Sequence, residues 1–311
     1  MISVKQNMLF ECDLCPRRCH AARPFSGGEA PLKGVCRAPM QAVVSGMGVH
    51  HWEEPVISGT RGSGTVFFAG CNLHCVFCQN HAISTGCEGK ACTPKELRDL
   101  YFELIGKGVH NINLVTPGHF VLPIAESLAE NLPVPVVYNS NGYELPETLQ
   151  LLENKIQIYL PDLKYADNTL AARYSHAPDY FETAVAAIDE MYRQVGDFAF
   201  DENGMLVKGV VIRHLILPGQ LENSFKVIEF IAKHFRPGQV LFSLMHQYLP
   251  CGLVSEENYP ELNRKLNDVE YETVEAALFA SGIEDGFVQE ADSAESEFIP
   301  GFMHSFTNKE A

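Results

Sequence analysis

Basic side chains are scarce in this chain: 23 Lys and Arg stand against 39 Asp and Glu, a formal net charge of −16. A surface that gathers nucleic acid or an anionic membrane needs clustered Lys and Arg, so this balance points away from both and toward a protein or small-molecule substrate. Long apolar runs are missing too. The stretch Met1–Phe10 has no extended apolar core and no small-residue cleavage site. No later stretch reaches the roughly 18 apolar residues of a membrane span, and a cytoplasmic protein is expected. There is no internal repeat and no low-complexity segment, and with 46% hydrophobic and 20% charged residues the composition carries no signature of disorder. The glycine-rich stretch 48–64 precedes a predicted strand instead of leading from one into a helix. It also lacks the Lys-Ser/Thr pair of a P-loop, which argues against nucleotide triphosphate use.

Cysteine, by contrast, is plentiful. Ten cysteines in 311 residues without a signal peptide favour metal ligation over disulfides. Three lie in the run Ala69-Gly-Cys-Asn-Leu-His-Cys-Val-Phe-Cys-Gln-Asn80, as Cys71, Cys75 and Cys78, directly after the apolar stretch Thr65-Val-Phe-Phe68 that reads as a strand. Three thiolates can hold a cubane iron–sulfur cluster while leaving its fourth iron open, whereas a closed structural site takes four protein ligands. A second set, Cys12, Cys15, Cys19 and Cys36, supplies four and would be closed, either by zinc or by an auxiliary iron–sulfur cluster; unligated thiols are the alternative. His20 is a substitute ligand there, and Cys87, Cys92 and Cys251 show no partner pattern.

Residues 1–62 read as an irregular, cysteine-rich, metal-binding extension, and 63–311 as the body of the protein. In that body short apolar runs alternate with helical patterns, the signature of strand–helix units around a parallel sheet. Strands are expected at 65–70, 110–115, 134–139, 156–162, 209–216 and 238–245. One helix opens at Thr93-Pro94 with Glu96 completing a capping box, and others are expected at 120–130, 145–154, 178–195, 222–235 and 257–281. Six such units suggest a partial barrel, although spacing alone also describes an open doubly wound sheet. Both architectures place the active site at the carboxyl ends of the strands.

The cysteine loop resembles that of the radical S-adenosylmethionine (SAM) enzymes, and the strand ends resemble those of the pyruvate formate-lyase activating enzyme-like group. The resemblance implies an α/β fold, a partial (β/α)6 barrel with an N-terminal cysteine-rich extension. It implies a [4Fe-4S] cluster on Cys71, Cys75 and Cys78 whose open iron chelates SAM, with Phe77 near the adenine. The second strand runs into Thr116-Pro-Gly-His119, where activating enzymes carry a Gly-Gly-Glu type run at the SAM amino group, so Thr116 and Gly118 are candidates. The run Val136-Val-Tyr-Asn-Ser-Asn-Gly-Tyr143 is similar to the family's Asp-Thr-Asn-Gly and brings in Asn139 and Asn141; Asn139 replaces the aspartate, which weakens the case for a bound monovalent cation. Alternation puts Asp162 and Lys164 on one side of the fourth strand, suited to the methionine portion of SAM or to a structural ion pair. Arg213 is an inward cation for a ribose hydroxyl or carboxylate, or a buried salt bridge, while His214 has the opposite parity. His246 resembles a histidine near SAM and substrate, with core packing as its alternative. Glu53 and Glu54 read as surface or packing anchors, or as substrate-side acids.

The implied activity is reductive cleavage of SAM to a 5′-deoxyadenosyl radical and hydrogen abstraction, with a flavodoxin or ferredoxin as reducing partner. A glycyl-radical enzyme is the first candidate substrate. Radical modification of a small molecule or another protein is the second reading. A non-catalytic iron–sulfur electron carrier or partner-binding protein is the third, and it leaves the aligned charges of Asp162, Lys164 and Arg213 unexplained.

Overall fold

The computed structural model describes residues 10–25 and 33–288. Its first elements are small: β1 (Phe10–Cys12) and β2 (Ala21–Arg23) pair antiparallel. Then come β3 (Ala42–His50), a one-turn helix α1 (Pro55–Ser58) and β4 (Ser63–Phe68). β3 lies where no long periodic segment is expected, because Gly46 and Gly48 interrupt the alternation that would announce a strand. It runs antiparallel to β4 with His50 opposite Ser63, so the chain turns through α1 beside the start of β4.

A short turn of helix α2 (His81–Ser84) and β5 (Lys90–Cys92) precede the regular alternation. That alternation runs α3 (Pro94–Ile105), β6 (Ile112–Val115), α4 (Val121–Ser127), β7 (Val136–Ser140), α5 (Pro146–Leu149) and β8 (Ile158–Pro161). It continues through α6 (Asn168–Ser175), α7 (Tyr180–Val195), β9 (Ala199–Phe200), β10 (Leu206–Leu215), α8 (Leu221–His234), β11 (Leu241–Met245), α9 (Asp268–Ala280) and β12 (Gly286–Val288). The sheet order is β12-β11-β10-β8-β7-β6-β4-β3-β5, with β9 beside β10. From β4 to β12 these neighbours are parallel. The order does not return to its beginning, so the barrel is partial. All six expected strands are present, and β12 adds a further parallel one. The capping box at Thr93 forms, with Glu96 N donating to Thr93 Oγ1 (3.2 Å) and Thr93 N donating to Glu96 Oε2 (2.8 Å). Among the described residues no helix is long and apolar enough to cross a membrane.

Strand alternation divides the interior into two cores. Val136 and Tyr138 of β7, Tyr159 of β8, Val210 and Ile212 of β10 and Phe242 of β11 face the helices and join the large core. Val137, Ile158, Leu160, Val211 and Leu241, on the opposite parity, face the lumen and pack around Ile57 of α1. Ile57 is therefore a plug inserted by the segment before the first barrel strand, and it fills the lumen toward the amino ends of the strands. One pleat further along the same faces stand Asn139, Asp162, Arg213 and Ser243, all polar, while Asn113 of β6 lies in register with Val137. The lumen thus changes from oil to charge as the strands approach their carboxyl ends.

Candidate functional site

Beyond the apolar plug the lumen opens into a cavity of about 260 Å³. The loop after β4 lines it with Cys71, Cys75, Phe77 and Cys78, and the ends of β6, β7, β8 and β10 line it with Thr116, Asn139, Asn141, Asp162, Lys164 and Arg213. With Met245 and Gln247 at the end of β11, residues from six successive strand ends meet, because parallel pairing places all the carboxyl ends on one rim.

The thiols are set by hydrogen bonds from three directions. Leu73 N donates to Cys71 Sγ (3.3 Å), Asn141 Nδ2 to the same sulfur (3.5 Å) and Ser175 Oγ to Cys75 Sγ (3.0 Å). Burial pushes the Cys75 thiol up to about 12 and the Cys78 thiol up to about 11, while the nearby Lys164 ammonium pulls both back. Thiols in such a place ionise when a metal shares the charge. Among the described residues no three His, Cys, Asp or Glu side chains are already drawn around one point, in this loop or in the N-terminal cysteine set. Cys71, Cys75 and Cys78 share the lining of one cavity, and three thiols with a fourth corner left open are a donor set that an iron–sulfur cubane can take.

Opposite the cysteines lies a charge network. Lys164 Nζ donates to Asp162 Oδ2 (2.5 Å) and Arg213 Nε to Asp162 Oδ1 (3.0 Å). Arg213 Nη1 reaches Glu53 Oε2 (3.2 Å) and its Nη2 donates to Asn139 Oδ1 (2.6 Å). Glu53 Oε1 in turn accepts from Asn113 Nδ2 (3.2 Å) and Asn139 Nδ2 (3.3 Å). Burial alone would raise the Asp162 carboxyl; Arg213 and Lys164 hold it below the usual carboxylate range. Beneath them Glu54 is buried and its carboxyl rises to about 7, burial outweighing the pull of Arg213. The carboxylate missing at Asn139 is thus supplied beside it by Glu53, from the segment that carries the plug.

Two expected cofactor residues are not among those that line the cavity. Gly118 faces away from the cavity, its Cα packed so closely on the Glu144 carboxyl that a Cβ would stand 2.3 Å from an oxygen. His246 falls on the parity opposite to the cavity-lining Met245 and Gln247, and its ring packs edge-on against Tyr271 of α9 at 4.5 Å. His214, of helix-side parity, bonds Leu163 O (2.7 Å) and Ser224 Oγ (2.9 Å). Glu53 and Ser175 are site residues that no local pattern marks. The only pointer to Glu53 is its place in a polar segment next to the first strand.

Of the second cysteine set, Cys12, Cys15 and Cys36 are buried and Cys19 is exposed. Arg23, 2% exposed, donates through Nη1 to Cys12 Sγ (3.5 Å) and, among the described residues, otherwise only to the carbonyls of Ala38 and Pro39. No carboxylate among the described residues pairs with it.

A family model described as the radical SAM superfamily matches residues 65–231. An uncharacterized protein of Methanocaldococcus jannaschii is 30% identical over 289 residues, covering 89% of this chain and 76% of that protein. Among solved structures, methylornithine synthase is similar at a TM-score of 0.47 and 15% identity, over 73% of this chain and 63% of that one, so this chain spans less than two thirds of its length. A spore photoproduct lyase mutant is similar at a TM-score of 0.48 and 11% identity, over 71% of this chain and 74% of the other. A domain of a pyruvate-formate lyase-activating enzyme from Bacteroides vulgatus gives a TM-score of 0.33 and 14% identity, over 63% of this chain and 91% of that domain.

Proposed function

Because the chain belongs to the radical SAM superfamily, we propose that it takes a hydrogen atom from a peptide segment of a partner protein, as in the activation of a glycyl-radical enzyme. When bound, the cluster supplies one electron, delivered by a flavodoxin or ferredoxin, to split the S–C5′ bond of SAM into methionine and a 5′-deoxyadenosyl radical. Cys71, Cys75 and Cys78 would hold it, and the donors Leu73 N, Asn141 Nδ2 and Ser175 Oγ would orient and tune the sulfurs. Lys164 and Asp162 face the thiols across the cavity, where an ammonium–carboxylate pair can meet the zwitterionic methionine end of SAM. Phe77 lines the same wall. The apolar plug around Ile57 keeps water from reaching the site through the base of the lumen.

The observation that carries the peptide reading is the internal pairing of the cavity's charges: Arg213 is engaged by Asp162, Glu53 and Asn139, and Lys164 by Asp162. With these groups committed to each other and to SAM, an uncharged backbone suits the remaining space better than an ionic metabolite. The departures at Asn139 and at Thr116–His119 from the activating-enzyme pattern favour the second reading, radical modification of a small molecule or of another protein. A non-catalytic electron carrier would not need the buried charge network.

The test is anaerobic reconstitution with iron and sulfide, reduction with SAM present, and quantification of 5′-deoxyadenosine against the Cys71/Cys75/Cys78 triple-Ala variant. Cysteine-dependent release is expected, and a glycyl-radical doublet should appear by electron paramagnetic resonance when a suitable partner enzyme is added. No release from a protein with an intact, reducible cluster would remove the catalytic reading.

We also propose that Cys12, Cys15, Cys19 and Cys36 bind zinc or an auxiliary cluster. The support is Arg23, a buried guanidinium beside Cys12 Sγ, for which a metal-bound thiolate would provide a counter-charge. The triple-Ala variant should then retain metal, as zinc alone or as iron with acid-labile sulfide; a metal-free variant would refute the site.

A further inference from the structure

The cysteine loop is gripped from outside the barrel by the N-terminal segment. Arg17 spreads its guanidinium over four carbonyls: Nε donates to Asn72 O (2.7 Å), Nη2 to Leu73 O (3.3 Å) and Ser175 O (2.9 Å), and Nη1 to His176 O. Its flat face lies over the Tyr143 ring, 5.1 Å from the centroid. Asn72 and Leu73 sit between Cys71 and Cys75. Ser175 ends α6 and His176 follows it, where carbonyls have no donor within the helix. A planar fork of five N–H groups can serve acceptors on two elements at once, which a point-like ammonium cannot.

The end of α6 is itself tied to the same loop, since Val76 N donates to Tyr174 O (2.8 Å) and Ser175 Oγ donates to Cys75 Sγ (3.0 Å). On the other flank His74 Nε2 bonds Val35 O (2.8 Å), and Arg37 Nη1 donates to Thr85 O (3.1 Å) beyond the loop. Gly70, at a φ of 79°, lies against Cys36 so closely that a Cβ would stand 2.4 Å from its carbonyl oxygen. The barrel supplies the strand from which the loop springs. The N-terminal segment supplies contacts at both ends of the loop.

We propose that Arg17 is a positioning residue for the radical-cofactor site, holding the Cys71–Cys75 stretch in register with the end of α6 so that the three thiols keep their spacing. The proposal rests on reading Cys71, Cys75 and Cys78 as the cluster ligands. If Arg17 anchored only its own segment, its loss would disturb residues 10–25 and leave the loop alone.

Hydrogen exchange read by mass spectrometry on the full chain, before and after anaerobic reconstitution, separates these outcomes. Arg17→Ala is expected to speed exchange in peptides spanning 70–80 and 172–178. Arg17→Lys should not restore protection, because the charge returns without the fork. Arg18→Ala is the control, since the exposed Arg18–Glu147 pair (2.9 Å) touches neither element. Unchanged exchange over 70–80 in Arg17→Ala overturns the proposal, and if that variant does not fold, Arg17→Lys is read by the same criterion. In the reconstituted protein Arg17→Ala should bind SAM about tenfold more weakly in equilibrium dialysis, the scale of outer-shell effects at metal sites. The resonance line shape of its reduced cluster should change as well. Wild-type affinity and line shape would overturn the positioning role. Failure of the wild type to assemble any cluster would count against the reading of the cysteines, while the exchange result on the unreconstituted chain would still decide whether Arg17 holds the loop.

Discussion

Asp162 is the residue on which the cavity's electrostatics turn, for it accepts from both Lys164 and Arg213. Asp162→Asn would leave Arg213 with Glu53 as its ion-pair partner and Lys164 with none among the described residues, a loss on the order of 3–5 kcal/mol when one partner of a buried pair is removed. A matching fall in the urea midpoint is expected, whereas an unchanged midpoint would show that water reaches the network. Because the folded Asp162 carboxyl lies below its ordinary value, its contribution is present above the unfolded pKa and is lost as pH falls through the folded one. Glu54 and Glu144 act in the opposite sense. Burial raises each to about 7, so each stays protonated in the folded chain while the unfolded chain ionises near an ordinary glutamic acid value. Their effect is therefore least harmful below the unfolded pKa, and stability falls as pH rises toward about 7, by about 3 kcal/mol for each group. Unfolding measured at pH 5 and pH 8 should show this loss in the wild type and much less of it in Glu54→Gln/Glu144→Gln. An equal pH dependence in both proteins would mean that these acids are not buried as described.

Among the elements, α1 is small and consequential: four residues put Ile57, fully buried, into the lumen against Val137, Ile158, Val211 and Leu241. Ile57→Ala should cost about 2–5 kcal/mol, because a rigid ring of strand side chains cannot collapse into the space. Calorimetry checks this, and a loss below 1 kcal/mol would imply that the plug is loosely packed. The turn after β7 carries a comparable constraint. Gly142 has a φ of 81° and a Cβ there would stand 2.2 Å from the Asp162 carbonyl, so Gly142→Ala should displace Asp162 and weaken SAM binding more than it lowers stability. The six strands whose ends build the site were readable because apolar runs ending in polar residues are local signals, and parity alone placed Asp162 with Lys164 and set His214 apart. β3 escaped because its glycines break the alternation, and α6 because eight residues give too short a period to stand out. Family position assigns Gly118 and His246 to the cofactor; in the structure a Cβ at Gly118 would point to Glu144 and the His246 ring packs on Tyr271. Glu53 could not be assigned from its neighbours, since its partner Arg213 lies 160 residues away.

That separation has a meaning for the molecule as a whole. The segment that carries Glu53 and Ile57 leaves the ribosome before any parallel strand of the barrel, while its partners Arg213 and Leu241 come in the last third of the chain. Contacts so distant in sequence pay their loop-closure entropy late, and sheets joined by them form slowly. The α3–β8 region, whose neighbours pair in sequence order, has no such wait. In pulse-labelled refolding, amides of β7 and β8 should therefore gain protection before those of α1, which is buried only once β10 and β11 are in place, and simultaneous protection throughout would contradict this order. A nascent chain would then expose the thiols of Cys71, Cys75 and Cys78 for as long as the charged wall opposite them is missing. The period of synthesis and assembly, about a minute or less for the chain itself at usual elongation rates, and not the finished fold, is when this protein is most open to oxidants, so its yield in active form should depend on how soon after translation the lumen is sealed.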